Sequence, residues 1–354
     1  MRALVAMSGG VDSSVAAALM LEAGHDVIGV TLKQWVGSDG RLPTAGCCTV
    51  ADAEDARRVA AQLGVPHYVL DHVEEFTTEV VDRFVAGYLE GRTPNPCVEC
   101  NRRVRFGALL DRVEALGCEV LVTGHYARVG ERNGRPVLLT GVDPAKDQSY
   151  VLHMLSAAAL ARVRFPVGGF TKVEVREHAA RLGLRTAAKP DSQDLCFVAG
   201  DYRSFLRERI PGGDRPGEIV DADGSVLGRH DGVAGFTVGQ RKGLGVAVGE
   251  PRYVVAVDPS TATVRLGRRS DLAVRSCTVA GVSFVSGPVT AGSPAAVKVR
   301  YRARPVTARL FPAGDAWRVV FAEAQESVAP GQAAVFYRGD EVLGGGTITG
   351  TEAA

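Results

Sequence analysis

The first 200 residues alternate short apolar runs with longer amphipathic segments, and this alternation constrains the fold more than any other feature. The runs ALVAM, DVIGVTL, HYVLD and EVLVTGHY are typical of strands. The segments SSVAAALMLEAG, ADAEDARRVAAQLG and EEFTTEVVDRFVAGYLEG carry apolar residues at helical spacing, and each ends in a glycine suited to a helix C-terminus. Strands that alternate with helices build a parallel sheet. Residues 1–200 are therefore predicted to form a doubly wound α/β domain.

The character of the sequence changes after about residue 200. Residues 201–272 are punctuated by Gly, Pro and Asp and predict a small β-rich central domain. Residues 273–354 contain AAVKVRYR, PVTARLF, AWRVVFAE, AAVFYRG and EVLGGGTIT, which alternate inward and outward residues and predict a C-terminal β-barrel. Within the first domain, Asn133-Gly134 predicts a hairpin turn, and Thr171 with Glu174 predicts a helix capping box.

Composition excludes several classes of protein. The chain has 354 residues, of which 46% are hydrophobic and 23% charged, as in a globular protein of two or three domains. No apolar run approaches the roughly 20 residues of a membrane span, and the first residues lack the layout of a signal peptide. Seven irregularly spaced cysteines do not predict a secreted disulfide framework. We therefore expect a cytoplasmic protein with no membrane contact.

Charge limits how the chain can bind RNA. The net charge of +1 argues against a protein that coats nucleic acid by bulk electrostatics, so any contact must come from local patches. One candidate is the stretch 92–105, which holds Arg92, Arg102, Arg103 and Arg105 against only Glu99. On charge alone, a solvated surface explains this stretch equally well.

The segment SGGVDSS (8–14) directly follows the first predicted strand and opens the first predicted helix. Its glycine pair lets the backbone approach phosphate oxygens, and a helix N-terminus offers unpaired N–H groups to an anion. The segment lacks both the Lys-Ser/Thr ending of a P-loop and the three-glycine spacing of a dinucleotide fold. A generic strand-to-helix turn is the alternative. In this position the segment resembles the pyrophosphatase loop of adenylating enzymes, which cleave ATP between the α and β phosphates.

Two separated groups of cysteines are chemical candidates. Cys97 and Cys100 lie three positions apart beside arginines, which favour the thiolate form. Cys196, within SQDLCF, forms a sulfur-transfer pair with Cys100 if the fold brings the two together. An iron–sulfur cluster held by Cys97, Cys100 and Cys196 stays open as an alternative. A zinc site is disfavoured because no second Cys/His pair with ligand spacing follows. The remaining cysteines are interpreted as small buried hydrophobes: Cys47, Cys48, Cys118 and Cys277.

Six motifs occur together in order: the phosphate loop, TPNPCVECNRRVRF, TGHYAR, KDQSY, SQDLCF and VGQRKGLG. This set resembles the tRNA-specific 2-thiouridylase family over essentially the whole chain. The resemblance implies an adenine nucleotide alpha hydrolase-like fold and a tRNA-uridine 2-sulfurtransferase that uses ATP and Mg²⁺ to adenylylate O2 of U34 in tRNAs of the Lys, Glu and Gln type. A cysteine persulfide then supplies sulfur, which gives 2-thiouridine and releases AMP and pyrophosphate. It also implies a sulfur-donor protein, such as a cysteine desulfurase or a relay, and a monomer.

The resemblance carries residue roles onto matching positions. Cys196 resembles the persulfide carrier, and Cys100 resembles the nucleophile that frees the sulfur and ends in a disulfide with Cys196. The positions that resemble ATP contacts are Ala6, Met7, Ser8, Gly9, Gly10, Val11, Asp12, Ser13, Leu32 and Gly124. Those that resemble contacts to the target base are Asn95, Pro96 and Cys97. Those that resemble other tRNA contacts are His125, Lys146, Asp147, Gln148, Arg300, Tyr301 and Gln332. The resemblance names no protein ligand for a metal.

Two of these positions carry further reasoning. Some family members have Asp where this chain has Cys97, which leaves open whether Cys97 acts as a base, a spare thiol or a cluster ligand. Arg300 and Tyr301 combine a phosphate-pairing cation with an aromatic stacking face, the usual pair for an unstacked RNA base. An ordinary outward-facing pair on a barrel strand is the alternative for Arg300-Tyr301.

Overall fold

The structure is a computed structural model that describes residues 1–37, 49–191, 195–198, 200–210 and 214–354. The interpretation of Cys47 and Cys48, and the Ser192–Asp194 part of SQDLCF, lie outside the described residues. The chain forms two compact units. The first comprises Met1–Val81, Cys97–Ala199 and Asp340–Leu343, and the second comprises Asp82–Pro96, Gly200–Gly339 and Gly344–Ala354.

Helices and strands alternate along the first part of the chain, whereas strands dominate the rest. The described helices are α1 (Val11–Glu22), α2 (Val50–Leu63), α3 (Val73–Phe76), α4 (Arg83–Leu89), α5 (Pro96–Glu99), α6 (Leu109–Ala115), α7 (Ala157–Ala161), α8 (Lys172–Arg181) and α9 (Tyr202–Arg209). π-Helical segments join α3 to α4 (Thr77–Asp82) and α5 to α6 (Cys100–Ala108). The described strands are β1 (Arg2–Ala6), β2 (Asp26–Lys33), β3 (His67–Asp71), β4 (Val120–Thr123), β5 (Ala127–Arg132), β6 (Arg135–Thr140), β7 (Val163–Arg164), β8 (Gly217–Val220), β9 (Val226–His230), β10 (Tyr253–Asp258), β11 (Thr263–Gly267), β12 (Ala273–Phe284), β13 (Ser293–Lys298), β14 (Val306–Ala313), β15 (Ala316–Glu326), β16 (Ala333–Arg338) and β17 (Glu341–Ala353).

The first unit is built on a parallel sheet with the strand order β3-β2-β1-β4-β7. Leu4 at the centre of β1 pairs with Ile28 of β2 and with Leu121 of β4. The strand order reverses at β1. Helix α1 leads from β1 to β2 on one side, whereas β4 pairs with β1 on the other side. Ligands of open α/β sheets bind at such a switch point, beyond the carboxyl ends of the strands. The doubly wound α/β prediction is confirmed.

Helix packing follows from the composition of each segment. Val15, Ala16 and Ala17 of α1 are fully buried, because small side chains let this helix lie close to the sheet. Helix α2 begins with a capping box in which Thr49 accepts from the backbone of Asp52. The predicted capping box of Thr171 and Glu174 begins α8. The predicted hairpin turn at Asn133-Gly134 joins β5 to β6, with a φ of +53° at Asn133.

The second unit contains two β-structures. Strands β8 to β11 form a four-stranded sheet in the order β10-β11-β8-β9 around a small core that includes Ile219, Val254 and Leu266. Strands β12-β15-β14-β13-β16-β17 form a six-stranded barrel, closed by pairing of β12 with β17. The β-rich central domain and the C-terminal barrel are therefore confirmed. The domain limits at residues 200 and 272 stay a prediction.

One strand ends earlier than its sequence pattern predicts. The run AAVKVRYR predicts a strand that includes Arg300 and Tyr301, but β13 ends at Lys298. Both residues lie in the turn that follows, so they are not an outward pair on a barrel strand. None of the helices in the described part of the chain is long and apolar enough to cross a membrane.

Candidate nucleotide and sulfur-transfer site

The phosphate loop lies between β1 and α1, at the point where the strand order reverses. Gly9 has a φ of +72°, and a Cβ at this position would overlap the carbonyl oxygen of Asp52 and lie 2.7 Å from its carbonyl carbon. Gly10 is the extended N-cap residue of α1, and in the described structure no side chain caps the helix there. The first N–H groups of α1 are therefore available to an anion.

Serine side chains brace the loop from within. The backbone N–H of Ser8 donates to Oγ of Ser13 over 3.1 Å, and Oγ of Ser14 donates to the carbonyl of Gly10 over 2.8 Å. Gly124, which follows β4, lies against the same turn, because a Cβ there would be 2.6 Å from the backbone nitrogen of Ser13. The structure thus brings the predicted nucleotide residues of SGGVDSS and TGHYAR together at one edge of the sheet.

The other predicted nucleotide contacts line the strands beside this loop. Met7 donates its N–H to the carbonyl of Val30 and accepts from the hydroxyl of Thr31 over 2.7 Å, so β1 and β2 are tied together where the loop begins. Ala6 is the last residue of β1, and Leu32 lies near the carboxyl end of β2 and is 9% exposed. These residues surround the crevice that the switch point predicts.

An ion-pair network extends from the loop. Asp12 accepts from the hydroxyl of Tyr126 over 2.8 Å and from Nζ of Lys172 over 2.7 Å. Lys172, which is 9% exposed, also contacts Asp191 over 2.8 Å, and Asp191 pairs with Lys146 over 2.7 Å. Partial burial alone would raise the pKa of Asp191, but hydrogen bonds from Lys146 and Lys172 outweigh burial and hold it at about 2. The network links the phosphate loop to the residue just before the SQDLCF segment.

A second lysine holds the loop from its other side. Nζ of Lys189 donates to the carbonyl of Gly9 over 3.0 Å and pairs with Asp52 over 2.7 Å and Asp55 over 2.8 Å. Burial would lower the pKa of Lys189, but its bonds to the two carboxylates raise it, so it stays charged. In a trans peptide the C=O and the next N–H point in opposite directions. By holding the Gly9 carbonyl outward, Lys189 aims the N–H of Gly10 into the loop.

The two cysteines of CVEC lie on one helical stretch. Pro96 begins α5 at a position where a missing N–H costs nothing, and Cys97 and Cys100 follow one turn apart. Cys97 is exposed and Cys100 is buried. Nε2 of Gln34, just beyond β2, donates to Sγ of Cys100 over 3.4 Å. The amide of Gln34 therefore holds an N–H group against the sulfur of Cys100.

Cys196 approaches the same segment through its neighbour. The ring of Phe197 packs edge-on against Trp35, with 6.1 Å between centroids, and against Phe76 at 5.9 Å. Gln34 contacts Cys100, and the adjacent Trp35 contacts Phe197. Cys100 and Phe197, the residue after Cys196, therefore contact the adjacent residues 34 and 35, although the two cysteines are far apart in sequence.

The described side chains do not form a cluster of metal ligands. No group of three or more His, Cys, Asp or Glu residues in this part of the chain has the arrangement that a metal ion needs, and this includes Cys97, Cys100 and Cys196. The ligand set expected for an iron–sulfur cluster is therefore not formed. Mg²⁺ differs, because it is commonly held by one or two carboxylates together with substrate phosphates. Asp12, at the start of α1, fits that requirement.

The predicted tRNA residues that follow β4 and β6 are largely engaged within the first unit. His125 is 5% exposed and contacts Thr123 through Nδ1 over 2.7 Å. The carboxylate of Asp147 accepts from Gly141 and Ser149, and Oε1 of Gln148 accepts from Tyr126. These contacts shape the turn beside the Asp12 network.

Two buried histidines make the free energy of unfolding of the first unit depend on pH. Burial lowers the pKa of His125 to about 3 and that of His153 to about 4. The folded chain keeps both neutral while the unfolded chain takes up protons below pH 6.5, so stability falls as the pH drops from 6.5 towards these values. Between pH 7 and 5 the loss is about 2 kcal/mol per histidine. His153→Gln should reduce the difference between urea unfolding free energies at the two pH values by that amount.

The carboxylates with lowered pKa values do not contribute to the difference between pH 7 and pH 5. Asp191 and Asp52 have lowered pKa values, so their stabilising effect is lost only as the pH falls below the unfolded Asp value of about 3.9. If the unfolding free energy of His153→Gln depended on pH as that of the wild type does, His153 would take up its proton as readily in the folded chain as in the unfolded chain.

The second unit holds the remaining predicted tRNA residues. Arg300 donates from Nε and Nη2 to the carbonyl of Ser327 over 3.0 and 2.6 Å, and Tyr301 next to it is 36% exposed. Gln332 donates from Nε2 to the carbonyl of Thr93 over 2.7 Å, which braces the segment that leads to Asn95 and Pro96. The structure thus brings Gln332 close to the predicted target-base segment.

Sequence reasoning missed several residues of the site: Gln34, Trp35, Asp52, Lys172, Lys189 and Asp191. Two signals were available. Gln34 and Trp35 follow β2 at its carboxyl end, where ligand-binding residues of parallel sheets collect. Lys189 and Asp191 flank a proline directly before the SQDLCF motif. Their partners lie far away in sequence and offered no local pattern.

Comparison with known proteins covers nearly the whole chain. Residues 1–200 match the family model described as the tRNA methyl transferase HUP domain, residues 203–268 its PRC-barrel domain, and residues 274–348 the aminomethyltransferase beta-barrel domain. Together with the phosphate loop at the switch point, these matches define a HUP-domain protein that carries a PRC-barrel and a C-terminal β-barrel.

Curated relatives make the assignment specific. The chain is 51% identical to the tRNA-specific 2-thiouridylase of Chloroflexus aurantiacus over 99% of both chains. It is 50% identical to that of Geobacter metallireducens, over 98% of this chain and 96% of the relative, and 52% identical to that of Mycolicibacterium paratuberculosis, over 99% of both. The chain belongs to the tRNA-specific 2-thiouridylase family.

Proposed function

We propose that this protein is a tRNA 2-thiouridylase that uses ATP to activate U34 and a cysteine persulfide to replace its O2 by sulfur. The observation that carries the proposal is that Cys100 contacts Gln34 and Phe197, the neighbour of Cys196, contacts the adjacent Trp35, in the same unit as the phosphate loop. A phosphate loop alone serves many adenylating enzymes, whereas a second, distant cysteine at the same segment is what sulfur transfer needs.

The chemistry proceeds in two stages. The loop N–H groups and Ser8 and Ser13 hold the phosphates of ATP. Asp12 would hold Mg²⁺, which would neutralise phosphate charge. The uridine O2 attacks the α-phosphate and pyrophosphate leaves. This makes AMP, with the former O2, a leaving group on C2.

Sulfur then replaces the activated oxygen. The thiolate of Cys100 attacks Sγ of the Cys196 persulfide, which releases hydrosulfide and forms a Cys100–Cys196 disulfide. Hydrosulfide forms the C2–S bond as AMP leaves. The sulfane sulfur is reduced and the two cysteines are oxidised, so a dithiol reductant must restore them and a persulfide donor protein must reload Cys196. We assign the role of assisting base to Cys97, which is exposed one turn before Cys100.

The remaining assignments follow from this reaction. We assign contact with the target base to Asn95, Pro96 and Cys97, and contact with the rest of the tRNA to Lys146, Arg300, Tyr301 and Gln332. We also assign contact with the tRNA to His125, Asp147 and Gln148. Domain limits near residues 200 and 272, action as a monomer and a location in the cytoplasm, where tRNA is modified, belong to the same proposal.

Nucleoside mass analysis tests the proposal directly. Unmodified tRNA carrying U34 is incubated with protein, ATP, Mg²⁺ and a persulfide donor. We expect 2-thiouridine at position 34 only when ATP is present. ATP cleavage to AMP without any thiolated nucleoside would retain the phosphate-loop assignment and overturn the sulfur-transfer assignment.

Lys189 should affect nucleotide binding more than turnover. Lys189→Met frees the Gly9 carbonyl to rotate and misaligns the Gly10 N–H, so we expect the KM for ATP to rise roughly tenfold with little change in kcat. Initial rates of AMP release at varied ATP measure this. Lys33→Met, which removes an exposed pair with Asp71, is the matched control and should leave both constants unchanged. A fall in kcat at unchanged KM would contradict the loop-aiming role.

A further inference from the structure

One motif has no place in the chemistry above. VGQRKGLG (238–245) lies in the central part of the second unit, distant in sequence from both cysteines and from the phosphate loop. Its backbone is anchored to β10, because Gly239 donates to the carbonyl of Val254 and Val254 donates to that of Gln240. Arg241 and Lys242, which follow this anchor, are both exposed. The loop therefore holds two adjacent cations on a fixed piece of backbone.

These two cations are not neutralised by neighbours. Neither forms an ion pair with a carboxylate in the described part of the chain. Arg241 borders a recess of about 430 Å³ that Arg252 also lines. Arg252 is paired with Asp221 over 2.9 Å and with Glu250, so its charge is already compensated. The net positive charge at this loop comes from Arg241 and Lys242.

Both ends of the loop approach further arginines of the second unit. A Cβ at Gly239 would be 3.4 Å from Nη2 of Arg300, and a Cβ at Gly243 would be 3.1 Å from Nη1 of Arg203. Arg203 and Arg300 therefore lie beside the two ends of the loop that carries Arg241 and Lys242, and we call these four residues the basic strip. Because the whole chain carries a net charge of only +1, this concentration is local.

We propose that the basic strip binds the phosphate backbone of the tRNA and extends the contact that Arg300 and Tyr301 make with it. The inference rests on the proposed function, because that function places RNA at Arg300. The adjacent guanidinium and ammonium groups of Arg241 and Lys242 match consecutive phosphates, and such contacts position RNA without reading its bases. Arg241 and Lys242 are positioning residues, since they lie outside the sulfur-transfer chemistry.

Salt-dependent tRNA binding tests the strip. Each phosphate contact releases counterions, so Arg241→Ala/Lys242→Ala should lower the slope of log Kd against log salt by about 2 and weaken binding roughly tenfold at moderate salt. Full-length unmodified tRNA is titrated without the sulfur donor, which excludes an effect through a protein partner. Arg241→Lys/Lys242→Arg keeps both charges and should keep the wild-type slope. Arg309→Ala, an exposed arginine on β14, is the matched control and should bind as the wild type does.

The outcomes of the binding experiment distinguish failure of the basic strip from failure of the proposed function. A double variant that keeps the wild-type affinity and slope would overturn the strip, even if wild-type protein thiolates tRNA normally. If the defect appears only when the sulfur donor is added, the loop binds that donor and the RNA assignment is wrong. Failure of wild-type protein to bind tRNA at all would instead reject the proposed function.

Discussion

Cys196→Ser should abolish formation of 2-thiouridine while leaving tRNA-dependent cleavage of ATP to AMP and pyrophosphate in place. A serine hydroxyl cannot carry sulfane sulfur, so the loss should be on the order of 10³-fold or more in thiolated product. Adenylylation depends on the phosphate loop and needs no sulfane sulfur. Nucleoside mass analysis and pyrophosphate release, measured on the same reaction, separate the two steps.

Cys100→Ser should block the reaction one step later. This variant should still accept a persulfide on Cys196 and consume ATP, but it should fail to release the sulfur. Cys118→Ser is the matched control, because Cys118 is also buried in the first unit and burial raises the pKa of its thiol. Full thiolation by Cys196→Ser, or loss of adenylylation in Cys100→Ser, would contradict the assigned roles.

Gly9→Ala should remove ATP cleavage almost completely. The backbone of Asp52 occupies the space of the added Cβ, so the loop or the start of α2 must move. A displacement of about 1 Å in a binding site costs roughly 100-fold in rate. We expect at least that loss in AMP release, together with a lower Tm, because Lys189 then loses its arrangement with Gly9, Asp52 and Asp55.

The variant Gly64→Ala distinguishes the effect of backbone strain in Gly9→Ala from that of the clash with Asp52. Gly64 ends α2 with a φ of +71°, close to that of Gly9, but no atom lies within 4 Å of its added Cβ. Both variants carry the cost of a left-handed alanine, roughly 1–2 kcal/mol. Only Gly9→Ala adds the clash. Equal losses of ATP cleavage in the two variants would mean that backbone strain alone, rather than contact with Asp52, explains the effect.

Features set by local sequence were predictable. The strand, the glycine pair and the helix of the phosphate loop are contiguous, so their placement at the end of β1 followed from periodicity. The hairpin at Asn133-Gly134 and the capping box of Thr171 have short signatures of their own. By contrast, β7 has two residues and β12 mixes polar residues and glycine among its apolar ones, so neither has a clear period.

The electrostatic part of the site was not predictable from one sequence. Lys172 and Asp12 are 160 positions apart, and Lys189 and Gly9 are 180 apart. Lysines are common on surfaces, and nothing local distinguishes these two from a solvated one. The relation of Gln34 to Cys100 spans 66 positions and likewise depends on how β2 is placed in the sheet. The motifs identified the residues proposed to react, whereas the residues that position them became visible only in the folded structure.

The strand β17 gives the chain an unusual order of assembly. Its first residues belong to the first unit, where Glu341 and Val342 pair with β6 and where Asp340 binds Arg128, 212 positions earlier. A ribosome delivers residues from the N-terminus, so β6 can pair with β5 early but waits for its second partner strand until almost the whole barrel has been synthesised. The phosphate-loop unit therefore cannot complete its fold during translation of its own domain. Newly made enzyme should gain its last protected amide hydrogens in β6 only after residues 340–343 have emerged.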